Sequence, residues 1–339
     1  MKKIALSNIE KLYKAISNDM KLYIPVESGN NANYMEWQEG AKVTFDKMTT
    51  KSAKDAFFPQ CENLSKFSKE DNHIVVEKGQ VCEDDFVVMG VRACDVKAFD
   101  ILNRVFLAEP ADTFYKARHD HSIIISLSCS RPEETCFCTT FGIDPAEPKG
   151  DVAMYIVNDY AYFSSNTEKG EKFMAKYASL FEDADASDVE PAKNATREIM
   201  TKLPLHNVTT EGWGGDKLDE MFNRPEWKEL SDSCIACGTC TYVCPTCQCY
   251  DIRDYNTNKG VVRYRCWDSC MRSDFTMMAH GNNRTTQLQR FRQRFMHKLV
   301  YFPANNDGEF SCVGCGRCVA KCPVSMNIVK VIKTMGGKK

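Results

Sequence analysis

The chain has 339 residues, 46 acidic and 44 basic side chains, a net charge of −2 and 43% apolar residues. That length accommodates two domains with separate cores, and the near-balance of charge excludes the basic field of a nucleic-acid or anionic-membrane binder. No run of about 18 apolar residues offers a membrane span, and the apolar run in the opening MKKIALSNIEKLYKAIS is too short for a signal peptide, so a cytoplasmic location is expected. Eighteen cysteines in such a chain point to metal or redox use rather than to a disulfide framework. Cys61 and Cys82 stand alone and read as buried small apolar residues.

The first strong element is DFVVMGV, Asp85 to Val91, an apolar run that predicts a buried strand. RACD follows and leads into VKAFDILNRVF, where Val96, Phe99, Leu102, Val105 and Phe106 recur at helical spacing. After a loop with Pro110, HSIIISLSC reads as a second buried strand. Strand, helix and strand together predict a βαβ unit with parallel strands. Cys94 and Cys129 then leave the sheet at its carboxyl edge, where open α/β sheets hold ligands. SRPEETCFC brings Cys136 and Cys138 close to Cys129. One such cysteine alone would be an ordinary core residue. All four together suggest an all-thiolate site of iron–sulfur or zinc type, and the two ferredoxin runs described below tilt the choice to iron–sulfur. Arg92 and Asp95 flank Cys94 and either hydrogen-bond that site or pair with each other at the surface.

DVAMYIVNDYAYFSS predicts a hairpin turning at Asn158-Asp159. Glu168 to Met200 is rich in Ala, Glu, Lys and Asp and reads as helical and exposed, and TTEGWGGDK (Thr209 to Lys217) as a Gly-rich turn. Neither a P-loop nor a G-x-G-x-x-G fingerprint is present, so NAD(P)H binding by this chain is not expected. A domain boundary is placed near Ser231, dividing residues 1–230 from 231–339.

Cys234 to Pro245 reads CIACGTCTYVCP, and Cys312 to Pro323 repeats it as CVGCGRCVAKCP. The spacing C-x2-C-x2-C-x3-C-P is that of bacterial ferredoxins, in which the fourth cysteine of each run serves the other cluster. One [4Fe–4S] cluster is therefore assigned to Cys234, Cys237, Cys240 and Cys322, and a second to Cys312, Cys315, Cys318 and Cys244. Ala236, Gly238, Gly314 and Gly316 allow the backbone to approach a cluster, and Ile235, Val243, Val313 and Val319 are candidates for its dry wall. Zinc sites pair one C-x2-C with another and lack the third cysteine and the Cys-Pro ending.

Residues 246–311 form an insertion between the runs. Within TCQCYDIRDYNTNKGVVRYRCWDSC, Asn256 to Gly260 reads as a turn and VVRYR as a short strand, and Cys247, Cys249, Cys266 and Cys270 offer a possible further metal site. RTTQLQRFRQRFMHKL is basic with helical spacing; it reads as a solvated helix with Phe291, Phe295 and Leu299 inward in preference to a docking face. The six histidines are scattered, and His280 and His297 read as surface or capping residues. The fold class expected is α+β: an N-terminal α/β domain with a small βαβ-containing sheet, then a bacterial-type two-cluster ferredoxin-like domain with a long insertion.

In this order, GVRACDVKAFDIL, SCSRPEETCFC, CIACGTCTYVCPTCQCYDIRD, CWDSC and CVGCGRCVAKCP resemble the iron–sulfur subunit that anaerobic sulfite reductase shares with cytosolic sulfhydrogenase-type hydrogenases, where it is the beta subunit. The resemblance covers nearly the whole chain. It implies a non-catalytic electron-transfer subunit of an anaerobic oxidoreductase, working between a FAD-containing subunit that oxidises NAD(P)H and a terminal subunit of siroheme or nickel–iron type. It also implies a third [4Fe–4S] cluster on Cys94, Cys129, Cys136 and Cys138, and makes Cys247, Cys249 and Cys270, but not Cys266, part of the pattern. A relay in a heterodisulfide-reductase-type or other bifurcating complex is one alternative, and an autonomous reductase using the N-terminal cluster another.

Overall fold

A computed structural model describes residues 1–71 and 73–336. The chain opens with β1 (Lys2–Ala5) and α1 (Ile9–Asp19), in which Ile9, Leu12, Tyr13 and Ile16 bury one face at helical spacing. A hairpin of β2 (Lys21–Ser28) and β3 (Asn31–Glu36) follows, then the short α2 (Lys54–Phe57) and a second hairpin, β4 (Cys61–Glu70) with β5 (His73–Lys78). The apolar run forms β6 (Phe86–Arg92), buried throughout, and passes directly into α3 (Ala93–Phe106).

The connection beyond Pro110 is not all loop. It holds α4 (Thr113–His121), capped by Asp112, whose side chain accepts from the Tyr115 amide at 2.9 Å. Only Tyr115 of this helix is buried, so no apolar stripe announces it. The second apolar run is β7 (Ser122–Leu127), and β8 (Val152–Val157) and β9 (Tyr160–Ser165) form the expected hairpin, with Asn158 left-handed at φ 52°. The stretch expected to be helical from Glu168 is broken into α5 (Glu168–Lys176), a short β10 (Glu182–Asp183) and α6 (Glu190–Lys202), with Pro191 in the first turn of α6. It is not wholly exposed, because Phe173 and Met200 reach the core.

The central sheet has eight strands in the order β10-β1-β9-β8-β7-β6-β2-β3. β2, β6, β7 and β8 run parallel, so β6, α3 and β7 form the predicted βαβ unit. Alternate side chains separate the two faces: Val87, Met89, Ile125 and Met154 join Leu12 and Ile16 of α1, while Val88 and Val91 join Phe99 and Leu102 of α3.

Helices α7 (Leu218–Phe222), α8 (Glu226–Asp232) and α9 (Thr239–Tyr242) precede β11 (Tyr250–Thr257) and β12 (Gly260–Trp267). β12 contains the predicted VVRYR strand. These two strands join the hairpin formed almost two hundred residues earlier in a second sheet, ordered β11-β12-β4-β5 and antiparallel throughout. The basic helix is α10 (Gln287–Met296), extended by a π-helical turn at His297–Tyr301. Phe291, Phe295 and Leu299 face inward as expected, against Trp227 of α8 and Ile332 of the last helix. The chain ends in α11 (Phe302–Asn305), α12 (Arg317–Ala320) and α13 (Ile328–Met335). No helix among the described residues is long and apolar enough to cross a membrane.

Candidate metal centres

The two cysteine runs adopt one backbone trace. Ala236 and Gly238 in the first, and Gly314 and Gly316 in the second, all have left-handed φ between 54° and 78°, and each run then enters a single helical turn, α9 or α12. For Ala236 this conformation is worth about 1–2 kcal/mol of strain. Such a turn points successive amides and sulfurs inward, the geometry a cluster-binding loop needs.

Cys244 from the first run and Cys312, Cys315 and Cys318 from the second line one small cavity, together with Gly314, Gly316, Arg294 and Lys298. The other candidate set lies at the edge of the Trp227 core, where Cys234, Cys240 and Cys322 are partly buried. Its fourth member, Cys237, is exposed, and so is Ile235 at 60%. Ile235 therefore does not wall a cluster from water, whereas Val243 and Val313 are buried. Among the described residues no three His, Cys, Asp or Glu side chains converge on a single-ion site. Tetrahedral zinc gathers four ligands at one point, with Zn–S distances of about 2.3 Å; here Cys244, Cys312, Cys315 and Cys318 line a cavity.

Buried positive charge encloses that space. Lys298 is 4% exposed and donates to Thr246 Oγ1 at 2.7 Å and to the Ser311 carbonyl at 3.1 Å. Arg294, 2% exposed, donates to the Cys240 carbonyl at 3.2 Å and leaves Nε and Nη1 without a protein partner. Lys54 donates to the carbonyls of Cys244 and Cys247 at 3.1 and 2.8 Å, with its ammonium 3.7 Å from the Trp267 ring centre. Burial alone favours neutral Lys298, but the sulfurs of Cys244, Cys247 and Cys312 outweigh it and its pKa rises. Burial likewise opposes charge on Arg294, and the Cys240 and Cys318 sulfurs reverse the sign. Burial pushes the Cys312 thiol up to about 12 and Cys240 up to about 11. Protonated thiols and buried cations make poor neighbours. A thiolate-bound, negatively charged cluster satisfies both, so the donor set fits a [4Fe–4S] group.

The N-terminal cysteines form a second buried group. Cys94 lies in the first turn of α3 and Cys129 just beyond β7, both at the carboxyl edge of the sheet, and Cys136 and Cys138 are on the following loop; all four are between 5% and 7% exposed. Burial, reinforced by neighbouring thiolates, pushes Cys136 up to about 11 and Cys138 up to about 12. Arg92 and Asp95 do not pair with each other. Arg92 Nη1 donates to Cys129 Sγ at 3.1 Å and to the Arg131 carbonyl at 2.9 Å. Asp95, 1% exposed, takes a two-pronged ion pair from Arg317 (Nη1–Oδ1 2.5 Å, Nη2–Oδ2 2.7 Å), which lies between Cys315 and Cys318.

That ion pair joins the N-terminal group to the second run. The Phe137 amide donates to the Gly314 carbonyl at 2.9 Å, and the Cys136 thiol faces the Cys315 carbonyl at 3.8 Å. The approach is close enough that a Cβ on Gly314 would meet Phe137 O at 2.4 Å, and one on Gly316 would meet Thr135 O at 2.5 Å.

The four cysteines between the runs do not gather as one group. The Cys247 thiol hydrogen-bonds to Cys244, which lowers Cys244 and raises Cys247, and the Cys270 thiol hydrogen-bonds to Cys249, which lowers Cys249 and raises Cys270. Cys266 is elsewhere, on β12 opposite Cys61 of β4. Cys61 is exposed on β4 and so is not a core residue, whereas Cys82 is half-buried and packs against the edge of the Phe57–Phe86 cluster. His280 is exposed; His297 is half-buried after α10. The cations were not anticipated. Arg317 replaces the Thr239 of the first run, a difference visible in the sequence, but nothing local marks Lys54, Arg294 or Lys298 as neighbours of sulfur.

Residues 233–326 match a 4Fe-4S dicluster domain family. The chain is similar to the Sulfhydrogenase 2 subunit beta of Pyrococcus furiosus, 31% identical over 318 residues that cover 92% of this chain and 91% of that protein. No solved structure matches it.

Proposed function

The chain belongs to the iron–sulfur hydrogenase beta-subunit family, and from that premise we propose that it relays electrons from a FAD-containing, NAD(P)H-oxidising subunit to a terminal catalytic subunit, or in the reverse direction. The observation that carries the reading is the cavity shared by Cys244 of the first run and Cys312, Cys315 and Cys318 of the second. It supports the crossed ligand exchange of two-cluster ferredoxins. Cys234, Cys237, Cys240 and Cys322 would hold the partner cluster, and Cys94, Cys129, Cys136 and Cys138 a third. Bound [4Fe–4S] clusters supply one-electron oxidation and reduction, which is all a relay requires.

The chain's own residues set the conditions for that transfer. Lys298, Arg294 and Arg92 hold positive charge beside the sulfurs, and such groups tune a cluster's potential. The contact of the Thr135–Cys138 loop with Gly314 and Gly316 supports an order in which the N-terminal group communicates with the second run before the first. The absence of a dinucleotide fingerprint in the sequence supports a separate subunit for NAD(P)H. The sulfhydrogenase relative favours a hydrogenase-type terminal subunit over a sulfite reductase.

Cys322→Ser, purified without oxygen, tests the ligand exchange. Iron should fall by about four atoms per chain, from a total of roughly eight to twelve, and the lost electron paramagnetic resonance signal should be the one that Cys234→Ser also removes. Full retention of iron and signal in Cys322→Ser, or a colourless wild-type chain with stoichiometric zinc, would sink the proposal.

A further inference from the structure

Cys61 and Cys266 belong to none of the groups above, yet they meet across two antiparallel strands. The register pairs Cys266 of β12 with Cys61 of β4, and Arg265 with Glu62 next to it. One residue outward, the Trp267 amide donates to the Gln60 carbonyl at 2.9 Å. Gln60 and Trp267 are therefore a hydrogen-bonded pair, and the adjacent Cys61 and Cys266 a non-hydrogen-bonded one. In such a pair the Cα atoms lie about 4.5 Å apart and the side chains leave the same face close together. Disulfides span Cα separations of roughly 4.4–6.8 Å, so the two thiols need no backbone movement to join.

Neighbouring contacts fix the strands at this spacing. Arg265, 2% exposed, is ion-paired with the 8%-exposed Glu62 across the same two strands and with Asp112 of the α4 cap. Trp267 Nε1 donates to the Phe58 carbonyl at 3.1 Å. Cys61 is exposed and Cys266 half-buried, so one thiol is open to solution reagents and the other stands behind it.

We propose that Cys61 and Cys266 form a reversible inter-strand disulfide by exchange with low-molecular-weight disulfides. The Cys61 thiolate attacks a disulfide RSSR, forming the mixed disulfide and releasing one RS⁻, which takes up the proton lost from Cys61. The Cys266 thiolate then attacks the Cys61 sulfur, breaking the mixed disulfide and releasing the second thiol. Two protein thiols are oxidised and one RSSR is reduced to two RSH. The product ties β4 to β12, the strand that ends at Trp267, whose ring centre lies 3.7 Å from the buried Lys54 ammonium, and so links the thiol balance of the surroundings to the lysine that donates to the Cys244 carbonyl. Exposed disulfides of this kind are readily reduced, which makes the step a switch rather than a permanent clip.

The cluster-loaded full chain is equilibrated without oxygen with oxidised glutathione, quenched with iodoacetamide, digested and analysed by mass spectrometry. The expected product is one crosslinked peptide pair joining Cys61 to Cys266, reversed by dithiothreitol, with the visible iron–sulfur absorption unchanged. Cys266→Ser should instead accumulate glutathione on Cys61, and Cys61→Ser should take up none at Cys266. Stable glutathionylation of Cys61 in the wild-type chain, alkylation of both thiols at every glutathione ratio, or crosslinking of Cys61 to any other cysteine would overturn the assignment. None of these readouts depends on electron relay, so that reading stands or falls separately.

Discussion

Asp95→Ala should weaken the join between the N-terminal cysteine group and the second run. Asp95 and Arg317 are 1% and 3% exposed and share two charge-assisted hydrogen bonds at 2.5 and 2.7 Å. Removing one partner of a buried pair costs about 3–5 kcal/mol, because the other charge is left uncompensated. Arg317 keeps bonds to the Thr49 carbonyl at 2.9 Å and hydroxyl at 3.1 Å, and the Cys94 and Cys315 sulfurs remain beside it. The loss therefore falls at the lower end, about 3 kcal/mol. Because cluster release makes unfolding irreversible, the rate of bleaching in fixed denaturant is the suitable assay. If the contact is already broken when unfolding commits, about 3 kcal/mol accelerates bleaching by roughly 100-fold. Arg317→Met strands the buried Asp95 carboxylate in its turn, so Asp95→Ala added to it should cost nothing further and partly restore the rate, giving a coupling of at least about 3 kcal/mol. A single-mutant rate within threefold of wild type, or a double mutant in which both effects add in full, would refute the reasoning.

Gly314 and Gly142 separate close approach from backbone strain. Both have left-handed φ, 58° and 69°, but a Cβ on Gly142 meets nothing within 4 Å. Gly142→Ala should lose about 1–2 kcal/mol, whereas Gly314→Ala should lose more and expose Cys136 and Cys138 to alkylation; equal effects would contradict the close packing. Burial, with the charges of Lys298 and Arg284, holds the His297 imidazole down at about 4, from an ordinary 6.5. The unfolded chain binds this proton better, so stability is lost as pH falls from about 6.5 to about 4, by at most about 3 kcal/mol. His297→Gln should flatten that part of the stability–pH curve, and an unchanged slope would count against the assignment. Lys298→Met removes a buried cation beside Cys244 and Cys312 and should make the adjacent centre harder to reduce; a redox titration followed by electron paramagnetic resonance should show its midpoint moving negative, and an unmoved midpoint would deny Lys298 an electrostatic role.

The elements legible in the sequence were those set by short-range pattern. The Asp85–Val91 strand, the periodicity of Val96, Phe99, Leu102 and Phe106 (Val105 is 39% exposed), the Asn158-Asp159 turn and the inward face of Phe291, Phe295 and Leu299 all depend on residues a few positions apart. The spacing of the two cysteine runs sufficed to identify a dicluster domain, because ligand geometry fixes that spacing. Helix α4 escaped because capping, not amphipathicity, defines it. The second sheet escaped because its strands find each other across nearly two hundred residues, and no local pattern encodes that pairing. The same limit hid the cations: Lys54 meets the Cys244 and Cys247 carbonyls, and Asp95 meets Arg317, only through tertiary packing. Cys61 differs from its expected burial because it lies exposed on β4, opposite the half-buried Cys266 of β12, a placement that only the long-range strand pairing sets.

The pairing of β12 with β4 bears on any attempt to produce pieces of this molecule. A fragment stopping ahead of Cys234 would carry β4 with one flank of amides and carbonyls bare, an invitation to aggregation. The complementary fragment would offer a lone β11–β12 hairpin, which is marginally stable in water. Co-expression of the two, allowing them to reassemble by strand complementation, is the more promising route to a split version.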